Sequence, residues 1–351
     1  MKGSSTTLIY HSLYLEHDPG LGHPERPARL TAICDLLEDH GIFSRVDLVS
    51  PDEAPTELIS AVHDPGYVRA VAEMAARGGG YLDVDTGLSG ASFRAARLAV
   101  GGVVLAVEKA LSQERGAFFC LVRPPGHHAT SNRGMGFCLF NNLAIGTRYA
   151  LDVCGAKKVF ILDWDAHHGN GIQDIFYDTP AVLYLSLHQY PLYPGTGYLD
   201  EVGVDSGEGF TVNIPLPAGA GDDIYLKAFD EIVSPLVGQF EPDLIMVAAG
   251  YDGHFADPLA GLNLTVRGYA EMTKRVRRLA HDFCGNRLIF SLEGGYDLGA
   301  LSRSVLATIS ELASLGLEVE DPRKPPPGLP IDESRRILNS IKTTQRRYWK
   351  L

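Results

Sequence analysis

Short apolar runs alternate along this chain with longer segments in which apolar residues recur at helical spacing. The short runs are rich in β-branched and aromatic residues and predict strands at Leu8–Tyr10, Ala117–Val122, Val159–Asp163, Val182–His188, Leu244–Ala249 and Leu288–Leu292. The longer segments predict helices at Ala91–Leu111, Asn141–Cys154, Asp222–Phe240, Val266–Phe283 and Leu298–Leu315. Because strands and helices alternate, the sequence predicts an α/β domain in which helices cover both faces of a mostly parallel sheet.

A proline-rich stretch at residues 325–330 interrupts this alternation near the end of the chain. We therefore predict one domain over residues 1–320. Residues 321–351 are predicted to hold the proline-rich stretch and a helix over Asp332–Lys342 that packs on the same domain. The 351 residues are enough for one large α/β domain of this kind.

Charge and composition narrow the range of partners. Hydrophobic residues make up 45% of the chain and the formal net charge is -12, which argues against direct binding of nucleic acid. The basic stretch Lys274–Arg278 is interpreted as the solvated face of a helix. No apolar run approaches the length of a membrane span, so no membrane partner is expected. The sequence leaves open whether the chain forms a homo-oligomer.

The cysteines and the N-terminal residues indicate where in the cell the protein is located. The five cysteines are scattered and form no Cys-x-x-Cys pair, so we expect reduced thiols. The N-terminal residues lack the apolar core and cleavage site of a signal peptide. Both observations predict a cytoplasmic location.

Four polar clusters each follow a predicted strand. They are Arg123–His128, Asp163–Gly171, Gly250–His254 and Glu293–Tyr296. Parallel strands end at one edge of a sheet, and open α/β sheets bind ligands at that edge. We therefore expect the four clusters to converge on one site.

Asp165, His167 and Asp252 are candidate metal ligands. A catalytic zinc ion uses three protein ligands and leaves a position for water or substrate. Two carboxylates and one imidazole also suit Fe(II) or Mn(II), so the residues leave the metal open. Taken by itself, Asp252 in Gly-Tyr-Asp-Gly would be interpreted as a turn residue. The Asp-x-His motif at another strand end favours the interpretation as a ligand.

The adjacent imidazoles of His127 and His128 are candidates for acid and base catalysis. Asp163 can accept a ring N–H from one of them, and Asn170 can orient the other without adding charge. That difference would separate the two imidazole pKa values. Tyr296 follows two glycines and can direct its hydroxyl at a developing oxyanion; the alternative is an ordinary half-buried aromatic residue, one of 15 tyrosines.

These motifs resemble the zinc-dependent histone deacetylase family, which includes bacterial acetylpolyamine amidohydrolases and acetoin-utilisation proteins. The resemblance is carried, in the family's order, by Arg123–Ala129, Gly136–Asn142, Asp163–Gly171 and Glu293–Tyr296, and it spans roughly residues 10–315. His23–Pro27 and Asn170 resemble the class II branch of the family.

The resemblance implies an arginase-like fold with a central eight-stranded parallel sheet and a zinc ion on Asp165, His167 and Asp252. It implies that His128 is the general base and then the general acid, and that Tyr296 holds the oxyanion. His127, paired with Asp163, would contribute electrostatically. The residues implied to contact the substrate are Asp85, Gly136, Phe137, Tyr193, Leu259 and Gly295.

Two further features follow from the resemblance. Tyr193 stands where the family commonly has phenylalanine, and Leu259 stands at the mouth of the acyl-lysine tunnel. Two structural potassium ions are also implied. The first would lie near Asp163, Ser186 and the carbonyls of Asp165, His167 and Leu187. The second would lie near Phe176, Thr179, Val182 and Tyr225.

The resemblance implies zinc-dependent removal of acetyl groups from the ε-amine of lysine in proteins or peptides. The alternative is hydrolysis of small acetylpolyamines. An acidic residue at position 259 would attract a second ammonium group, and leucine removes that attraction, which favours acyl-lysine. Two other functions are alternatives. An arginase-type ureohydrolase would need two metal ions. A binding module without catalysis would not need every catalytic position to be filled, and in this sequence all of them are.

Overall fold

The computed structural model describes residues 5–112 and 116–351. Within these ranges the strands are β1 (Ser5–Ile9), β2 (Asp47–Val49), β3 (Gly79–Asp83), β4 (Thr86–Ser89), β5 (Gly116–Cys120), β6 (Val159–Asp163), β7 (Val182–Gln189), β8 (Thr211–Leu216), β9 (Leu244–Ala249) and β10 (Leu288–Leu292). The α-helices are α1 (Ala28–Asp39), α2 (Thr56–Ser60), α3 (Pro65–Ala76), α4 (Ser92–Leu111), α5 (Asn142–Asp152), α6 (Asn170–Phe176), α7 (Asp222–Ala228), α8 (Ser234–Phe240), α9 (Val266–Cys284), α10 (Leu298–Leu312) and α11 (Ile331–Gln345).

One parallel sheet of eight strands forms the centre of the fold. Its order is β2-β1-β5-β10-β9-β6-β7-β8, and β3 and β4 form a separate antiparallel hairpin. Every residue of β5, β6, β9 and β10 is buried, as expected for strands covered on both faces. The predicted α/β fold with an eight-stranded parallel sheet is confirmed.

Two groups of helices pack around the sheet. In one group α10 lies between α1 and α9, and in the other α4 packs against α5. Both groups contact strands, α9 through β9 and α4 through β5 and β10. In the parts of the chain that the structure describes, no helix has both the length and the apolar character needed to cross a bilayer.

The structure differs from several of the strands and helices predicted from the sequence. The strands β2 and β8 and the β3–β4 hairpin were not predicted, because β2 has three largely exposed residues and β8 carries Asn213 and Pro215 among its apolar residues. The helices α1, α2, α3 and α6 were also missed. The predicted helix over Asp222–Phe240 is interrupted by a wider π-helical turn at Phe229–Val233, just before Pro235, whose ring cannot continue regular helical hydrogen bonding.

The basic stretch of α9 faces solvent, and its arginines are engaged locally. Arg275 forms ion pairs with Asp230 at 2.9 Å and with Glu271 at 2.9 Å. Arg277 donates to the Ser314 hydroxyl at 2.7 Å. These contacts agree with the interpretation of this stretch as a solvated helix face.

The C-terminal segment lies against the edge of the sheet. Helix α11 contacts β8, and Leu338 and Ile341 are buried in the main core. The Trp349 indole N–H donates to the Gly209 carbonyl at 2.7 Å, and its ring lies 5.5 Å from that of Phe210. Covering an edge strand removes a surface on which other chains can pair. We propose that residues 321–351 fold together with the domain.

Replacing Trp349 with alanine tests this proposal. The change removes the contact with Phe210 and the hydrogen bond to Gly209, so the free energy of unfolding should fall by about 2 kcal/mol, less than for a fully buried tryptophan. Tyr348→Phe is the matched control, because it loses only a hydrogen bond to Glu208, and its stability should change by less than about 0.5 kcal/mol. Chemical denaturation measures both; a wild-type stability for Trp349→Ala would contradict the proposal.

Candidate active site

The four polar clusters meet at one edge of the sheet, as the sequence predicts. They follow the adjacent strands β5, β10, β9 and β6. The Ala166 N–H, after β6, donates to Asp252 Oδ1 at 2.9 Å, and the Gly294 N–H, after β10, donates to Asp165 Oδ2 at 2.8 Å. Hydrogen bonds between clusters that are far apart in sequence therefore build a single site.

Asp165, His167 and Asp252 form a cluster that can hold a metal ion. One ligand atom from each lies within 4.8 Å of the others. His167 Nδ1 lies 3.2 Å from Asp165 Oδ1 and 2.8 Å from Asp252 Oδ2. Burial by itself lowers the pKa of His167, but the charges of Asp252 and Asp165 raise it to about 10. The cluster therefore favours a positive charge between its donors.

Glycines make room for the two carboxylates. A Cβ atom on Gly250 would lie 2.1 Å from Asp165 Oδ2, and one on Gly294 would lie 2.4 Å from Asp252 Oδ2. Both carboxylates are buried, and burying two negative charges is costly unless a cation or hydrogen bonds compensate them. The donor types, their spacing and this close packing fit a divalent metal ion.

The imidazoles of His127 and His128 lie next to each other, with ring centroids 3.9 Å apart. The acceptors behind them differ. His127 Nδ1 lies 3.1 Å from Asp163 Oδ2, whereas His128 Nδ1 lies 2.8 Å from Asn170 Oδ1. Since both oxygens accept, each ring carries its hydrogen on Nδ1 and leaves Nε2 of a neutral ring as the basic nitrogen.

The two imidazole pKa values move in opposite directions. Burial lowers the pKa of His128 well below its ordinary value, and the positive charges of His127 and His167 add to this effect. Burial also acts on His127, but Asp165 and Asp163 outweigh it and raise its pKa to about 10. At neutral pH His128 is therefore a neutral base beside a positively charged His127.

Tyr296 lies in the loop after β10 and faces the same site. Its ring is 5.7 Å from that of Phe137, and the guanidinium of Arg29 lies 5.0 Å from its ring centroid. Burial raises the pKa of Tyr296 well above its usual range. The hydroxyl therefore stays protonated and can donate a hydrogen bond.

Sequence reasoning missed a buried ionic network beside this loop. Glu25 forms ion pairs with Arg29 at 3.1 Å and with Arg123, and His17 Nε2 lies 3.3 Å from the Glu25 carboxylate. Arg29 also donates to the carbonyls of Gly295 at 2.6 Å and of Glu293 at 2.5 Å. The charged residues of His23–Pro27 and the arginine of the Arg123–Ala129 motif were visible signals, but only the fold shows that they meet.

Glu293 is the first residue of the Glu293–Tyr296 motif, and the structure shows what its side chain contacts. Its Oε2 accepts the N–H groups of Gly126 at 2.7 Å and His127 at 3.1 Å. It therefore ties the turn that carries the two histidines to the end of β10. Burial raises its pKa to about 7.

Aromatic rings line the approach to the site. Tyr193 is 38% exposed, and its ring lies 5.2 Å from that of His128. Gly136 has a positive φ of 55°, and a Cβ atom on it would lie 2.3 Å from His128 Cδ2 and 3.0 Å from Tyr193 Cε1. Glycine at position 136 therefore lets the Phe137 loop approach the base closely.

The remaining residues that are predicted to contact the substrate lie at the entrance to the site. Asp85 accepts a hydrogen bond from the Thr86 hydroxyl at 2.8 Å, and that hydroxyl accepts one from the Phe137 N–H at 3.1 Å. The half-buried Leu259 donates its N–H to Asp257 Oδ1 at 3.0 Å. Gly295, with φ at 120°, lies directly before Tyr296.

The residues of the two predicted potassium sets lie close to each other in the fold. Asp163 and Ser186 are paired in register on β6 and β7, and the Leu187 carbonyl follows on the same strand. The Tyr225 hydroxyl donates to that Leu187 carbonyl at 3.5 Å, so Tyr225 contacts a member of the first set. In the second set the Thr179 N–H donates to the Phe176 carbonyl at 3.4 Å, and Val182 begins β7.

Comparison with known proteins agrees with this geometry. The histone deacetylase domain matches residues 23–312. A probable deacetylase of Archaeoglobus fulgidus is 42% identical over 98% of this chain and 99% of its own length. A histone deacetylase-like amidohydrolase of Pseudomonas aeruginosa is 38% identical over 86% of this chain and 80% of its own. The solved HDA15 HD domain has a TM-score of 0.90 at 37% identity, covering 99% of this chain and 95% of that one. This chain belongs to the histone deacetylase family of hydrolases.

Proposed function

We propose that this protein is a zinc-dependent deacetylase that hydrolyses the amide bond of ε-acetyl-lysine in peptides or proteins. The observation that carries the proposal is the cluster of three metal donors within 4.8 Å beside a neutral imidazole and a protonated tyrosine. Names of relatives such as histone deacetylase-like amidohydrolase support the same chemistry.

Asp165, His167 and Asp252 would hold the zinc ion, which when bound supplies a Lewis acid for the amide carbonyl and for a water molecule. His128 takes the proton of the attacking water at Nε2, because Nδ1 carries the hydrogen that faces Asn170. The same nitrogen then gives that proton to the leaving amine, so the imidazole ends the cycle neutral.

Tyr296 and His127 stabilise the charge that develops during this reaction. The Tyr296 hydroxyl donates a hydrogen bond to the oxygen that becomes negative. His127 keeps its positive charge because Asp163 and Asp165 face it. A fixed positive charge and a fixed donor in a buried site act more strongly than they would in water.

The rim favours an acyl-lysine peptide over a small acetylated amine. Leu259 at the mouth offers no charge to a second ammonium group. Leu21 and Val84 are fully or almost fully exposed, at 108% and 94%, and they flank the loop residues His23 and Asp85, which are hydrogen-bonded to each other. Exposed apolar side chains beside a substrate site are suited to contact with peptide side chains.

Structural potassium is proposed for the two sets named above, and Fe(II) is the alternative to zinc at the catalytic cluster. A ureohydrolase would need a second metal, and the described residues supply one cluster of metal donors. All five cysteines are free thiols, which supports the predicted cytoplasmic location.

Removing a ligand should remove the metal. Asp252→Asn should lower the zinc content from about one ion per chain by tenfold or more, because even an outer-shell change typically costs tenfold or more in affinity. Asp85→Asn is the matched control, since Asp85 lies at the rim, and it should keep its zinc. Elemental analysis of the purified variants measures this; a full zinc complement in Asp252→Asn would refute the assignment.

Removing the Tyr296 hydroxyl should lower turnover without loss of metal. Tyr296→Phe should reduce kcat by about a hundredfold or more, as for other lost oxyanion donors. Tyr193→Phe removes a hydroxyl at the tunnel wall and should stay close to wild type. Steady-state kinetics on an acetyl-lysine peptide compare them; near-normal turnover in Tyr296→Phe would exclude its role.

Substrate preference can be tested at position 259. The wild type should have a higher kcat/KM on an acetyl-lysine peptide than on acetylspermidine. Leu259→Glu should raise kcat/KM for acetylspermidine about fivefold, because an exposed ion pair contributes up to about 1 kcal/mol. Leu259→Gln, which lacks the charge, is the control. A large preference of the wild type for acetylspermidine would make the polyamine alternative the correct one.

A further inference from the structure

Asp257 is a buried carboxylate close to the active site, and it has no role in the proposed mechanism. It is 7% exposed. Its Oδ2 accepts the Tyr296 N–H at 2.6 Å and the Asp297 N–H at 3.2 Å, and its Oδ1 accepts the Leu259 N–H at 3.0 Å. One side chain therefore joins the loop that carries the oxyanion donor to the residue at the tunnel mouth.

These hydrogen bonds are strongest while Asp257 is ionised. Burial raises the pKa of Asp257 to about 7 and the negative charge of Asp252 adds to the rise, while the three N–H groups oppose it. Hydrogen bonds from N–H groups to a carboxylate are roughly twice as strong as those between neutral groups. The main-chain donors thus hold the carboxylate in place, and the carboxylate in turn fixes the two loops.

The other side of the same loop is also fixed. Arg29 binds the carbonyls of Glu293 and Gly295, so the peptide units before Tyr296 are held through their oxygens, while Asp257 holds the Tyr296 N–H. A catalytic donor must stay within about 0.5 Å of its productive position. Between these two contacts the Tyr296 main chain has little freedom to move.

We propose that Asp257 is the positioning residue for Tyr296. It holds the tyrosine main chain through a carboxylate that accepts the Tyr296 N–H, and it sets the position from which the hydroxyl reaches the oxyanion. This inference rests on the proposed hydrolysis and on the role of Tyr296 in it. Asp257 itself touches no substrate in this scheme.

A double-mutant cycle separates positioning from general stabilisation. Asp257→Asn keeps the shape of the side chain and removes its charge. It should lower kcat about tenfold or more, since small misplacements of catalytic groups have effects of this size. The change in KM should be smaller, and the zinc content should stay complete. In a Tyr296→Phe background the same change should lower kcat by less than about twofold, because no hydroxyl is left to position.

One control variant and one alternative substitution at position 257 complete the experiment. Asp222→Asn removes a comparable carboxylate that accepts hydrogen bonds from Thr265 and should leave kcat unchanged in both backgrounds. If Asp257→Asn does not fold with zinc, Asp257→Glu, which keeps the charge and moves the acceptor, should give the same pattern. An equal loss of kcat with and without the Tyr296 hydroxyl would overturn the proposal, as would failure of both variants to fold with zinc. Absence of hydrolysis by the zinc-loaded wild type would instead refute the proposed function.

Discussion

The structure depends on how two buried carboxylates, Asp165 and Asp252, are compensated at the edge of the sheet. Each gives one oxygen to a main-chain N–H and turns the other toward His167. The N–H groups belong to different strand ends, so compensation of the charges also joins those ends. We propose that a divalent cation completes this arrangement, because hydrogen bonds alone leave the negative charge of both groups facing one imidazole.

The asymmetry between His127 and His128 follows from the same charge distribution. His127 faces Asp163 and Asp165 and is held as a cation, while His128 faces the neutral amide of Asn170 and stays a base. Two neighbouring buried imidazoles thus acquire different roles because the charges around them differ. The buried ionic network around Glu25 and Arg29 supports the opposite side of the site, where the Tyr296 loop must hold its position.

Much of this organisation could be predicted from sequence, and what was missed has a common cause. The strands β6, β9 and β10 are almost entirely apolar, so their bounds and the polar residues after them could be read directly. The short exposed β2 and the polar β8 give weak local signals. Arg29 and Asp257 act through main-chain groups far away in sequence, and the partners of such contacts are set by the fold rather than by a motif.

We propose that hydrolysis of acetyl-lysine depends on one zinc ion held by Asp165, His167 and Asp252. The most direct measurement is acetate release from an acetyl-lysine peptide by metal-free protein to which zinc is returned in measured amounts. We expect activity to be absent without metal, to rise in proportion to bound zinc and to reach its maximum at one ion per chain. Full activity in the metal-free protein, or none with one zinc ion bound, would contradict it.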